Sequence, residues 1–180
     1  MNRKNVLDKL SADEAQAVLK ELVASDSKIR KKAEEIAVAI FRDVDVDEIA
    51  QEVFWDLDSI AVEDVWDNSG RRRDGYVDPG VCAWKLFEEA LEPFTRQLEK
   101  YQELSLNEEA KRCCVGILKG IHGFHHDSKS EFKSWAVDAA GEFFVRVYDQ
   151  WKRHVKQTKD IAEMKTYVES LDLQSARMCN

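Results

Sequence analysis

Proline and glycine are scarce. Two prolines and seven glycines in 180 residues leave few points at which the backbone must leave a helix. Basic residues are in deficit, 27 Lys and Arg against 35 Asp and Glu. The resulting net charge of −8 repels nucleic acid and anionic membrane surfaces unless the cations cluster. The four cysteines, Cys82, Cys113, Cys114 and Cys179, include no C-x-x-C, and adjacent Cys113 and Cys114 do not suit a disulfide framework. No apolar run approaches the roughly 18 residues of a membrane span. The first residues, MNRKNVLDKLSADE, lack the apolar core of a signal peptide, so the expected location is the cytoplasm. No strand-like alternation is visible, and no Ser-His-Asp set, Cys-His pair or glycine-rich phosphate loop can be recognised.

What the chain does contain is helical periodicity. Ser11 and Glu14 fit a capping box that opens a helix with Ala15, Val18, Leu19, Leu22 and Val23 on one face. Ser25 to Ser27 interrupt it. A second helix follows with Ile29, Ala33, Ile36, Ala37, Ile40 and Phe41 on one side and Lys28, Arg30, Lys31, Lys32, Glu34 and Glu35 on the opposite face, and the short link implies an antiparallel hairpin. Asp43 to Asp67 holds ten acidic residues and no Lys or Arg. Ile49, Val53, Leu57 and Ile60 make its first part a helix, and Val62, Val65 and Trp66 a second, shorter one. Asn68 to Gly80, with Arg71, Arg72 and Arg73, reads as a loop.

Asp78 and Pro79 then start a long helix, about 37 Å at 1.5 Å per residue if it is uninterrupted. Its stripe runs Val81, Trp84, Phe87, Leu91, Phe94, Leu98, Tyr101, Leu104, with a kink expected near Pro93. Asn107 is the expected cap of the next helix and Gly123 its stop. Inside it, Gly116 and Gly120 would each cost about 1 kcal/mol relative to alanine, and close approach of a neighbouring helix would compensate. Ser128 and Glu131 offer a capping box for a helix from about Trp135 to Lys156, with Ala136, Ala140, Phe143, Phe144, Val147 and Trp151 inward. A last helix carries Ile161, Met164, Val168 and Leu171.

The expected fold is all-α, a single domain over 1–180 with a loose tail at 174–180. Antiparallel helical hairpins stacked as a short α–α superhelix of the HEAT or TPR kind are the first choice, and a closed orthogonal bundle is the alternative. No repeat of fixed period is visible in the letters.

Two stretches, LDKLSADEAQAVLKELVASDSKIRKKAE and DLDSIAVEDVWDNSGRRRDGYVDPGVCAWKLFEEALEPF, resemble the helical region downstream of the zinc finger in SWIM-type zinc-finger proteins. The resemblance spans about the first 130 residues. The zinc-binding part is absent, since no C-x-C is followed by C-x-H. The resemblance implies a solenoid-like helical module without zinc-finger activity.

Three functional readings follow. The first is a non-catalytic adaptor that binds another protein of basic or mixed surface. Its interaction surface would comprise Asp56, Glu63, Asp64, Trp66, Arg71, Arg72, Arg73 and Tyr76, where carboxylates alternate with aromatics. The first expectation for the arginines themselves is intramolecular, fixing the loop by folding back on Asp64, Asp67 or Asp74, ahead of their use in recognition. The second is an enzyme dependent on metal or carboxylates. Its residues would be His122, His125, His126 and Asp127, or Glu52, Asp56 and Asp58 if partly buried beside Trp55. The third is weak nucleic-acid binding through Arg71 to Arg73. The first is preferred, with no catalytic residue, no metal, no cofactor and no membrane partner expected.

Overall fold

A computed structural model describes residues 6–72 and 75–171, apart from the side chain of Arg72. Arg73, Asp74, Cys179 and the tail expected at 174–180 lie outside the described residues. The fold is all-α, as the periodicities require. The chain divides into two compact units, Met1–Asp43 and Val44–Asn180.

The first unit is a helical hairpin preceded by a 3-10 turn at Leu7–Lys9. Helix α1 (Ala12–Ser25) carries the expected capping box, with Ser11 Oγ accepting from Glu14 N and a Glu14 carboxylate oxygen accepting from Ser11 N. Asp26 alone separates it from α2 (Ser27–Phe41) and caps that helix by accepting from Lys28 N. Arg30 Nε donates to the Val23 carbonyl across the turn. Neither helix contains a buried residue.

The second unit holds the core. Helix α3 (Val46–Asp58) begins where Asp45 accepts from Asp47 N and Glu48 N, and α4 (Val62–Asn68) follows. The stretch expected as a loop instead contains a two-stranded antiparallel hairpin, β1 (Gly70–Arg72) and β2 (Gly75–Val77), with Arg71 opposite Tyr76. Strands of three residues are too short to show alternation. Gly70 and Gly75 both adopt positive φ, at 83° and 133°. Helix α5 (Pro79–Glu103) starts as predicted, with Asp78 accepting from Gly80 N and Val81 N, and continues through Pro93. Phe87, Leu91, Leu98 and Tyr101 of its stripe are buried, whereas Val81 and Leu104 at the ends are exposed.

Helix α6 (Asn107–Asp127) is the central element, in contact with α3, α5, α7 (Ala139–Lys152) and α8 (Thr158–Leu171). Four expectations for it and the next helix need correction. Asn107 is its first residue rather than its cap; the turn is made by Ser105 at φ 57°, and Leu106 N donates to Tyr101 O. Gly123 does not stop the helix, because its bare face lies against Phe54 of α3 and the chain leaves only at Ser128. The next helix starts at Ala139 rather than near Trp135, since Ser130 caps a separate 3-10 turn at Glu131–Ser134. The Ser128–Glu131 box is replaced by that cap, and Ser128 itself is buried with its hydroxyl donating to Asp58.

Helix α7 buries Ala140, Phe143, Phe144, Val147, Tyr148 and Trp151. Its end is tied to α5 by two side-chain amides: Gln102 Nε2 donates to the carbonyls of Gln150 and Trp151, and Gln150 Nε2 donates to Thr95 O. Helix α8 buries Met164 and Val168. It is held to α6 by Lys111, a largely buried cation paired with Asp160 and Glu163. Burial alone would lower the Lys111 ammonium, but hydrogen bonds to Glu163 and Asp160 outweigh it and raise the group above its ordinary value. Glu163 is lowered by the same hydrogen bond and by the Lys111 charge.

Candidate functional site

The site grows from the crossing of α3 and α6. A Cβ added at Gly116 would lie 2.8 Å from Ile49 Cβ and 3.1 Å from Val46 O. At Gly120 it would lie 2.6 Å from Val53 Cβ and 2.7 Å from Ala50 O. No real side chain fits there, so the two glycines supply the close helix approach that their cost in an exposed helix demanded. One turn further along, Gly123 leaves an ordinary 3.5 Å to Phe54 Cδ2.

Beside this crossing lies an open cleft of about 620 Å³. Asp47, Gln51, Phe54 and Trp55 line it from α3, and Lys119, Gly120 and Gly123 from α6. The α3 residues recur at helical steps, so one face of the helix forms one wall. Lys119 Nζ pairs with the Asp47 carboxylate across the cleft mouth. Trp55 is 64% exposed and meets Phe54 edge to face at 5.7 Å. Glu48 and Glu52 stand seven and three residues before Trp55, on the same stripe, and both are exposed.

The residues expected to form the interaction surface have different fates. Asp56 and Glu63 are exposed. Asp64 is engaged locally, its carboxylate accepting from Ala61 N at the start of α4. Trp66 is half exposed and leans on Trp135 at 4.7 Å, edge to face. Tyr76 is exposed opposite Arg71, also exposed, on the strand hairpin. Arg72 lies in β1, and Arg73 lies outside the described residues. Among the described side chains, none of Asp56, Glu63, Asp64, Trp66, Arg71 and Tyr76 lines the cleft at Trp55. Gln51, Lys119, Gly120 and Gly123, which do, were not singled out for it. The signal available in the sequence was the pair of mid-helix glycines, which announces a close neighbour without naming it.

Acid–base chemistry beside Trp55 would require partly buried carboxylates. Glu52 and Asp56 are exposed, and Asp58, half-buried, accepts a hydrogen bond from Ser128. The histidines are near one another, with ring centroids 4.3 Å apart for His122 and His126 and 4.9 Å for His125 and His126. Burial holds the His125 imidazole below its ordinary value, helped by the charges of His126, Lys133 and His122. Among the described residues, no group of three or more His, Cys, Asp and Glu is placed to hold a metal ion. His122 and His125 instead line a second cavity of about 450 Å³, together with Trp84, Phe144, Asp138 and Glu142.

None of the helices, among the described residues, is long and apolar enough to cross a membrane. No family model matches the chain, and no curated protein or solved structure shows significant similarity to it.

Proposed function

We propose that the chain is a non-catalytic protein-interaction module in which the α3 face around Trp55 receives a basic, partly apolar segment of another protein. The observation that carries this reading is the exposed Trp55 at the edge of the cleft. A tryptophan in that position gives up a large apolar surface when covered, and tryptophan is enriched among residues that dominate binding energy. Glu48, Glu52 and Asp56 surround it with negative charge on a helix that has no cation of its own. A Lys or Arg of the partner would meet those carboxylates while a neighbouring apolar residue covers the indole. Surface charges of this kind accelerate encounter and are screened by salt.

The test is calorimetric titration with a short peptide that alternates lysine and leucine, against an acidic peptide of equal length. Binding of the basic peptide should weaken with salt. Trp55→Ala should reduce its affinity by roughly 30-fold or more, equivalent to about 2 kcal/mol at a hot spot. Reversal of Glu48, Glu52 and Asp56 to Lys should abolish it with helicity unchanged. Equal binding of both peptides, or indifference to these substitutions, refutes the proposal.

The 450 Å³ cavity favours a second reading, a histidine–carboxylate site for a small organic ligand. It predicts a thermal shift with a small amine or carboxylate ligand that His122→Phe removes and Trp55→Ala leaves intact.

A further inference from the structure

We infer that the cavity of about 450 Å³ takes small organic cations, primary amines with an apolar body, and rejects carboxylates of the same shape. The inference rests on the second reading above, that this cavity is a ligand site, and gives the ligand its charge. Among the lining residues are the aromatics Trp84 and Phe144, the imidazoles His122 and His125, and the acids Asp138 and Glu142. No Lys or Arg is among them.

Charge decides what enters. Asp138 and Glu142 are exposed acids one helical turn apart at the start of α7. Asp138 stands at the cap position, yet its carboxylate accepts nothing from the helix. Among the described residues, neither acid has an ion pair or a side-chain hydrogen bond. The amino end of a helix favours anions by the equivalent of about half a charge, which two full carboxylate charges outweigh. The His125 imidazole, held below its ordinary value, adds no positive charge at neutral pH. Two cations border these residues, and both are engaged elsewhere. Lys133 donates to the carbonyls of His125 and Ser128. Arg146 lies over the rings of Trp84 and Phe143 and 3.9 Å from Glu88. An ammonium would bring the counter-charge that the two acids lack, while its apolar body covers the aromatic lining. A neutral imidazole nitrogen would accept a further ammonium N–H. A carboxylate in the same place would meet two like charges.

Titration calorimetry of the full chain with three probes of one shape tests the inference: phenethylamine, phenethyl alcohol and hydrocinnamate. The amine should bind at least about tenfold more tightly than the alcohol, and the acid more weakly than the alcohol. Asp138→Asn with Glu142→Gln should bring the amine to the level of the alcohol and leave the alcohol unchanged. Both side chains are exposed, so this variant keeps the fold, as circular dichroism verifies. Trp55→Ala should change nothing, which separates the cavity from the acidic face of α3. Probes that bind without preference for the amine, and are lost with His122→Phe, overturn the inference and leave the cavity reading standing. Silence from all three at their highest soluble concentrations overturns both. An amine preference that survives the double substitution, or that disappears with Trp55→Ala, puts the cation elsewhere and overturns the inference.

Discussion

Alanine at Gly120 and alanine at Gly123 are the same chemical change three residues apart on one helix, and they should act in opposite directions. At Gly120 the new methyl would sit 2.6 Å from Val53 Cβ and 2.7 Å from the Ala50 carbonyl oxygen. Ordinary contact begins near 3.4 Å, so α3 and α6 must separate by well over half an ångström. Neither atom can swing aside, since one is backbone and the other is fixed to it. Helix propensity contributes about 1 kcal/mol in favour of alanine. Overpacking of a well-filled contact costs about 1–3 kcal/mol, and here the backbone clash argues for the upper part of that range. The net expectation is a loss of about 1–2 kcal/mol. At Gly123 the methyl meets Phe54 Cδ2 at 3.5 Å, an ordinary contact, and the propensity gain of up to about 1 kcal/mol survives. Urea unfolding followed by far-ultraviolet circular dichroism measures both, with unchanged slopes showing that stability alone has moved. If Gly120→Ala proves as stable as the parent, or if both variants shift together, the helices do not approach as described.

Three further outcomes follow from the core. Burial pushes the Cys113 thiol up to about 12, and Cys82 and Cys114 are equally buried. A Cys179→Ser variant should therefore show almost no reaction with a thiol reagent at pH 8 and three equivalents after unfolding. Rapid native labelling would contradict the burial. The Lys111 cluster makes the α6–α8 contact pH-dependent. Its Lys111 contribution, with the folded value raised, is complete below the ordinary 10.5 and lost as pH rises through the folded value. The Glu163 contribution, with the folded value lowered, is complete above the ordinary 4.5 and lost as pH falls through the folded value. Protection of the α8 amides, taken relative to the intrinsic exchange rate at each pH, should fall at both extremes, and Lys111→Met should flatten both limbs; an unchanged profile would refute the linkage. Finally, Asp78→Ala removes the acceptor for Gly80 N and Val81 N and should destabilise the chain by about 1 kcal/mol, measured as a lowered thermal midpoint.

The sequence was most informative where one residue type has one physical use. Ser11 with Glu14, and Asp78 with Pro79, can do little but open helices, and they do. Gly116 and Gly120 could be justified only by close approach, which α3 supplies. The inward set from Ala136 to Trp151 followed from periodicity alone. Periodicity does not say, however, whether an apolar face is covered. The faces of α1 and α2 read like those of α6, yet only α6 is buried. Gly123 misled because a stop and a packing contact call for the same residue. The strand hairpin was invisible because three residues carry no period. The cleft escaped notice because Asp47 and Lys119, which meet at its mouth, are 72 residues apart in the chain.

The glycine crossing also bears on the thermodynamics of recognition. Two backbone-level contacts one turn apart, at Gly116 and Gly120, leave α3 unable to roll about its axis or slide along α6 without collision. Trp55 and its neighbouring carboxylates thus ride on a platform that is already in place before any ligand arrives. In the proposed complex, little of the ordering entropy of association would fall on this side, and most of it would belong to the arriving segment. Stiffening that segment, by cyclisation or a well-placed proline, should gain affinity, whereas stiffening α3 further should gain almost none.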